Sequence, residues 1–210
     1  MTANLGIYDG VQRPAATPLN TLLTVQPGDW VLPSSQRGSS GYTGRATSSN
    51  ATNSNNTADF VPFYLNASFT IAAMAIHCVT ANDGANAVVR LGLYADSDGR
   101  PGTVAIDAGT QSINATGVKT MEFSPVTLAP GWYWTVLVPQ GLNTAGTNPT
   151  FSSGSGGGLQ MAGTASVIAS NNLFSKYYAI IAGSLRDTPP MGRDQNGHGG
   201  FNIFLRRSSR

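Results

Sequence analysis

One glutamate, Glu122, and two lysines, Lys119 and Lys176, occur among 210 residues. Glu and Lys are strong helix formers and the usual coating of helix surfaces. A chain this poor in them has little with which to build helices that face water. Charged residues make up 10% of the chain, against about 25% in a typical soluble domain. Gly, Ser, Thr and Asn fill the polar positions instead, which is the composition of β structure with many turns. A chain of this length can bury roughly 70–75% of its unfolded surface, enough to hold a core without a disulfide or a metal. Its single cysteine, Cys78, lies in the apolar run IAAMAIHCVT and reads as a small buried side chain rather than a nucleophile.

The texture changes along the chain. Residues 1–57 read as an extended N-terminal arm. Positions 1–33 hold four prolines and one short apolar piece, TLLTV, a candidate strand. Positions 34–57, SSQRGSSGYTGRATSSNATNSNNT, have no aliphatic residue larger than Ala. Such a segment cannot offset its own ordering entropy by burial, so it is either a disordered linker or ordered only against a neighbouring subunit. Residues 58–210 read as one β domain. Apolar runs there alternate with turn signals at NDG (82–84), DSDGRPG (96–102), ATG (115–117) and APG (129–131). The runs predict strands at 59–65, 69–80, 87–95, 103–109, 118–124, 131–139, 166–170, 176–182 and 200–206. The expected fold is all-β: a jelly-roll-like antiparallel β-sandwich with an extended N-terminal arm.

Period-two alternation assigns faces. In AVVRLGLYA, Val89, Leu91 and Leu93 share a core face, while Val88, Arg90, Gly92 and Tyr94 share a mixed, partly wet one. In GWYWTVLV, Trp132, Trp134, Val136 and Val138 lie on one face, and Tyr133, Thr135 and Leu137 on the other. Both faces are apolar, as in a strand that is central or lies under a loop or partner. Core packing is the first reading of the two tryptophans; an aromatic platform for a sugar ring is the second.

The candidate chemistry is sparse. LGLYADSDGRPG has two alternating aspartates before a glycine, like a calcium loop. With Gly99 at the sixth position of an EF-hand loop, Tyr94 falls at the first and Ala105 at the twelfth, so the first and the bidentate ligands are both missing. The residues instead suit a turn, with Gly99 free to adopt positive φ and Pro101 ending the ladder. SSGSGGG (152–158) lacks the lysine of a phosphate-binding loop. His77 and His198 have no second ligand at metal spacing. Glycoside hydrolysis needs two placed carboxylates, and no pair stands out. Arg206, Arg207 and Arg210 are too few for a strong phosphate footprint. The sequons at Asn50, Asn55, Asn66 and Asn114 reflect an Asn/Thr-rich composition. The sequence therefore nominates no catalytic, cofactor-binding or metal-ligating residue, no cofactor and no nucleic-acid partner. MTANLGIYDG has neither the basic nor the apolar region of a signal peptide, and no apolar run approaches the roughly 20 residues of a membrane helix. A cytoplasm-like compartment is expected, unless the protein leaves as part of an assembly.

Residues 90–141 carry a resemblance. RLGLYADSDGRPGTVAIDAGT, TGVKTMEF and LAPGWYWTVLVPQG resemble a β-module of tailed-bacteriophage virion proteins of the structural and tail-fibre-like kind. The matching positions are Gly92, Leu93, Tyr94, Gly99, Pro101, Gly102, Asp107, Ala108, Gly109, Gly117, Lys119, Pro130, Gly131, Tyr133 and Trp134. The resemblance covers about a quarter of the chain, and such modules mark a fold more than a role. It implies a virion protein assembled in the host cytoplasm and a homo-oligomer, with a trimer as the expected stoichiometry. Its partners would be other virion proteins and a host surface glycan. It transfers no catalytic residue. The expected function is a non-enzymatic tail-fibre or tail-appendage subunit with a role in assembly and host recognition. The alternatives are a capsid decoration protein anchored by the arm and, last, a carbohydrate-active enzyme of the tailspike kind.

Overall fold

Strands whose side chains alternate between two apolar faces can bury those faces only by stacking sheets, and this is what the chain does. The computed structural model describes residues 27–31, 48–51, 55–65, 67–153, 176–187, 192–194, 201 and 203–208. Its strands are β1 (Trp30–Val31), β2 (Ser48–Ala51), β3 (Thr57–Leu65), β4 (Phe69–Thr80), β5 (Val88–Asp96) and β6 (Pro101–Ser112). They continue with β7 (Gly117–Leu128), β8 (Gly131–Gln140), β9 (Thr150–Ser153), β10 (Lys176–Ile180), β11 (Gly192–Asp194) and β12 (Phe204–Arg207). No helix occurs among the described residues, and every strand pairing is antiparallel.

The strands form two sheets. In the first, β4 is the hub. β7 runs along one edge of it, from Phe69 opposite Leu128 to Cys78 opposite Gly117. The other edge is shared by β12, opposite Ile71–Ala75, and β9, opposite Cys78 and Thr80. β1 extends this sheet beyond β12, and β2 extends it beyond β9. The second sheet has the order β11-β10-β3-β8-β5-β6. Most consecutive strands change sheets, as in a jelly roll, so the expected all-β sandwich is what forms.

The apolar runs at 59–65, 69–80, 87–95, 103–109, 118–124 and 131–139 correspond to β3 through β8, and 69–80 matches β4 residue for residue. The run at 176–182 contains β10, and the last strand begins at Phe204 rather than at 200. The candidate strand at 166–170 lies outside the described residues. Within the stretch read as an arm, Trp30–Val31 pairs with β12 and Ser48–Ala51 pairs with β9 of the same chain. Most of the rest of residues 1–57, TLLTV included, lies outside the described residues.

Two apolar clusters fill the molecule. The first lies between the sheets. Ile71, Met74, Ile76, Met121, Phe151 and Leu205 come from one sheet, and Phe63, Val89, Leu91, Leu93, Ile106 and Leu137 from the other. The second lies on the opposite face of the second sheet, where Phe60, Tyr94, Trp134, Val136 and Val138 are buried with Ala58, Ala179 and Ile181. Thus β8 is central, between β3 and β5, and is also covered by a loop. The cover is the segment 181–187, which crosses this face as a strap.

The strap is tied down at each step. Gln140 Nε2 donates to the carbonyls of Ile181 at 3.1 Å and Gly183 at 2.8 Å. The Leu185 amide donates to Asp107 at 3.1 Å, and the Tyr94 hydroxyl to the Arg186 carbonyl at 3.0 Å. The Asp187 carboxylate accepts from the Val104 amide at 2.6 Å. Beneath the strap, position 92 must lack a side chain. A Cβ on Gly92 would overlap the Leu185 side chain and lie 2.5 Å from the Ile106 carbonyl oxygen.

Two predictions follow from the strap. Gly92→Ala should destabilise the fold by about 1–3 kcal/mol through overpacking. Because Leu185 is one of the two groups struck, adding Leu185→Ala should cost less than the sum of the single changes, by roughly 0.5 kcal/mol or more. Urea midpoints of the four proteins would measure this. The second prediction concerns Tyr94, whose phenol burial pushes up from 10.0 to about 12. A raised folded value favours the neutral form in the fold. Its stabilising contribution is complete below about 10 and is lost as pH climbs through about 12. Denaturation at stepped pH should show that alkaline loss, and Tyr94→Phe should flatten it.

Candidate functional site

The turn at 96–102 organises the exposed end of the second sheet. Ser97 and Arg100 exchange backbone hydrogen bonds of 2.8 and 3.2 Å. Between them Asp98 and Gly99 have φ of 53° and 73°. Two central residues with positive φ make a type I′ hairpin, for which Asp-Gly is a preferred pair because its twist matches the flanking strands. Asp96 then does two things. Its Oδ2 accepts from the Gly99 amide at 3.0 Å, and its Oδ1 accepts from Trp134 Nε1 at 2.7 Å. The aspartate that looks like a calcium ligand in the sequence is the acceptor that closes the turn and anchors a buried indole. Among the described residues no group of three or more His, Cys, Asp or Glu side chains could hold a metal ion.

Rows of side chains cross the strapped face of the second sheet. Phe60, Val136 and Gly92 form one row, and Pro62, Trp134 and Tyr94 the next. Phe60 and Tyr94 meet edge to face, with ring centroids 5.3 Å apart. One row further towards the turn, Tyr64 stands opposite Trp132. Asp96, one residue beyond the Ala95–Tyr133 pair, lies level with Trp132. This row is open. Trp134 is 2% exposed, whereas Tyr64 and Trp132 are each 39% exposed. Their rings lie 5.3 Å apart at 57° to one another. The two tryptophans that share a face in the sequence therefore divide: Trp134 is core, and Trp132 lies beside Tyr64 at the surface. Alternation along β8 alone could find Trp132. It could not find Tyr64, which reaches Trp132 only through the β3–β8 register.

The other candidate groups have structural partners. Asp107 is gripped by Arg90 at 2.7 and 2.8 Å and also accepts from the Gly109 and Leu185 amides. Glu122 pairs with Arg206 at 3.0 Å, and the Arg206 guanidinium lies 5.5 Å from the Trp30 ring centre. Asp83 accepts from Asn143 Nδ2. Asn82 is fully buried. It donates to the carbonyls of Asn143 and Thr147 and accepts from the amides of Gly84 and Asn143, which ties together the loops after β4 and β8. His77 Nδ1 lies 3.1 Å from Ser152 Oγ. Burial pushes the Cys78 thiol above its ordinary range, with Lys119 acting weakly the other way; as a thiol it is a poor nucleophile. Asn55 accepts from the Leu142 amide, and Asn114 bonds Ser112. His198, Asn66, Arg210 and the glycines of 154–158 lie outside the described residues.

No protein-family model, curated protein or solved structure matches the chain.

Asp96→Ala should lower the unfolding free energy by about 1.5–3 kcal/mol, the range for hydrogen bonds to a charged acceptor, and should alter the emission of Trp134. Asp98→Gly keeps the positive φ and should stay within about 0.5 kcal/mol of the parent. Chemical denaturation followed by tryptophan fluorescence measures both.

Proposed function

We propose that this chain is a non-enzymatic virion structural protein of a tailed bacteriophage, a tail-fibre or tail-appendage subunit. Its sandwich would serve both assembly as a homo-oligomer and contact with the host surface. The observation that carries the reading is the exposed Tyr64–Trp132 pair, held in place by the stretch that bears the resemblance. Within that stretch, Gly92 admits the strap, Tyr94 and Asp107 bind it, Gly99 makes the turn, and Trp134 anchors on Asp96. These are the needs of a rigid scaffold presenting a surface. The described carboxylates at positions 83, 96, 107, 122 and 187 each accept a bond from an amide, an indole or a guanidinium. That arrangement suits fixed structure better than proton transfer, which needs a group poised near the working pH.

An antibody against the purified protein, imaged on particles by electron microscopy, should label the tail or its appendages. Label over the head would replace this reading with capsid decoration. Depolymerisation of host polysaccharide by the isolated protein would replace it with an enzyme.

A further inference from the structure

We propose that Lys119 keeps the edge of β7 from pairing with a second copy of this chain. The inference goes beyond the role above and does not rest on it, since it concerns one edge of one sheet wherever the protein resides.

The sheets end at β1, β2 and β11, of two, four and three residues, and at β6 and β7, of twelve each. A long edge offers its amides and carbonyls to any strand that meets it. Among the described residues β7 pairs with β4 alone, and the one further bond from its positions 117–122 is that of Glu122 to Arg206. The far half of β7 is a poor template. Glu122 pairs with Ala73 and Val126 with Ile71, so Phe123, Ser124 and Pro125 stand against Ala72 alone, and Pro125 has no amide hydrogen to give. Positions 117–122, by contrast, run in unbroken register with 78–73. That is the length of a typical strand, and the backbone there does nothing to deter a newcomer.

The side chains do. Val118, Thr120 and Glu122 alternate onto the outer face, where Val118 is 69% exposed. Lys119 and Met121 alternate onto the inner one. They stand opposite Ile76 and Met74, which belong with Met121 to the core between the sheets. Lys119 is thus the one charged side chain on the inner face of this stretch. Its charge reaches the buried Cys78 thiol on the same face. It is partly exposed, and among the described residues it has no ion-pair or hydrogen-bond partner. At an open edge the ammonium keeps its water. A strand added there would enclose an unpaired cation, which is strongly unfavourable.

A second copy meets a further obstacle. Two copies related by a two-fold axis pair β7 with itself, and the inner face of one must continue into the inner face of the other. The registers that use most of positions 117–122 are centred on Lys119 and on Thr120. The first sets the two Lys119 side chains directly opposite each other, and the second sets them diagonal. Both arrangements lie within reach of long side chains, and like charges so placed oppose pairing.

The test uses the full-length protein in sedimentation velocity over a concentration series, with each variant read against the parent, whatever oligomer the parent forms. Lys119→Val should associate more tightly than the parent by roughly tenfold or more, because like charges juxtaposed in an interface are strongly unfavourable. Hydrogen exchange on the associated variant should show the amides of 117–122 slowed. Lys119→Glu, which keeps a charge at the position, should stay with the parent. So should Thr120→Val, which places the same valine on the outer face. Should Lys119→Val fold poorly by its melting temperature, Lys119→Gln removes the charge at similar length and should move association the same way. The proposal is overturned if neither neutral variant associates more tightly than the parent, or if Lys119→Glu or Thr120→Val associates as tightly as Lys119→Val. It is also overturned if exchange slows elsewhere and not at 117–122.

Discussion

β8 carries apolar side chains on both of its faces, and the rest of the architecture answers to that. One face, through Leu137 and Tyr133, packs into the space between the sheets. The other, through Trp134, Val136 and Val138, needs a second cover, because leaving several large apolar side chains in water forgoes about 1.5–3 kcal/mol apiece. The strap at 181–187 supplies it, and the molecule gains a third layer. A loop laid on a sheet brings backbone amides and carbonyls that must find partners. Gln140, Tyr94 and Asp107, all on the sheet, are those partners.

With so few charges in the chain, the carboxylates at positions 83, 96, 107, 122 and 187 each have a local structural task. Asp107 joins Arg90, the strap and its own strand. Asp96 joins the hairpin turn to the Trp134 indole. Asparagine performs similar work without charge: Asn82 uses two donor and two acceptor bonds to close the loops at one end. Hydrogen bonds to charged acceptors are worth about 1.5–3 kcal/mol, more than neutral ones, so the fold concentrates its few ions where one group must hold several segments.

How legible this was depends on the range of the interaction. β4 is readable to the residue because twelve positions alternate or run apolar between turn signals. The two apolar faces of β8 are readable for the same reason, and so is the need for a cover. What covers them is not, since the bonds that tie the strap to the sheet join residues 41 to 92 positions apart. β2 and β9 are pieces of four residues in which Phe151 is the one large apolar side chain; they pair with each other, and β9 also with β4. The hairpin at Asp98–Gly99 is local and was legible. The second job of Asp96 depends on the β5–β8 register and was not. The same holds for the Tyr64–Trp132 pair, half of which comes from β3.

β6 is the outermost strand of its sheet, and an outermost strand is a template on which another chain can pair. Here the Val104 amide is occupied by Asp187 and the Gly109 amide by Asp107, while Pro101 has no amide hydrogen to offer. A strand approaching from another molecule meets donors that are already engaged. This stretch of the edge is thereby a poorer template for pairing than a bare strand, because two of its donors already have acceptors in the same chain and a third position has none to give.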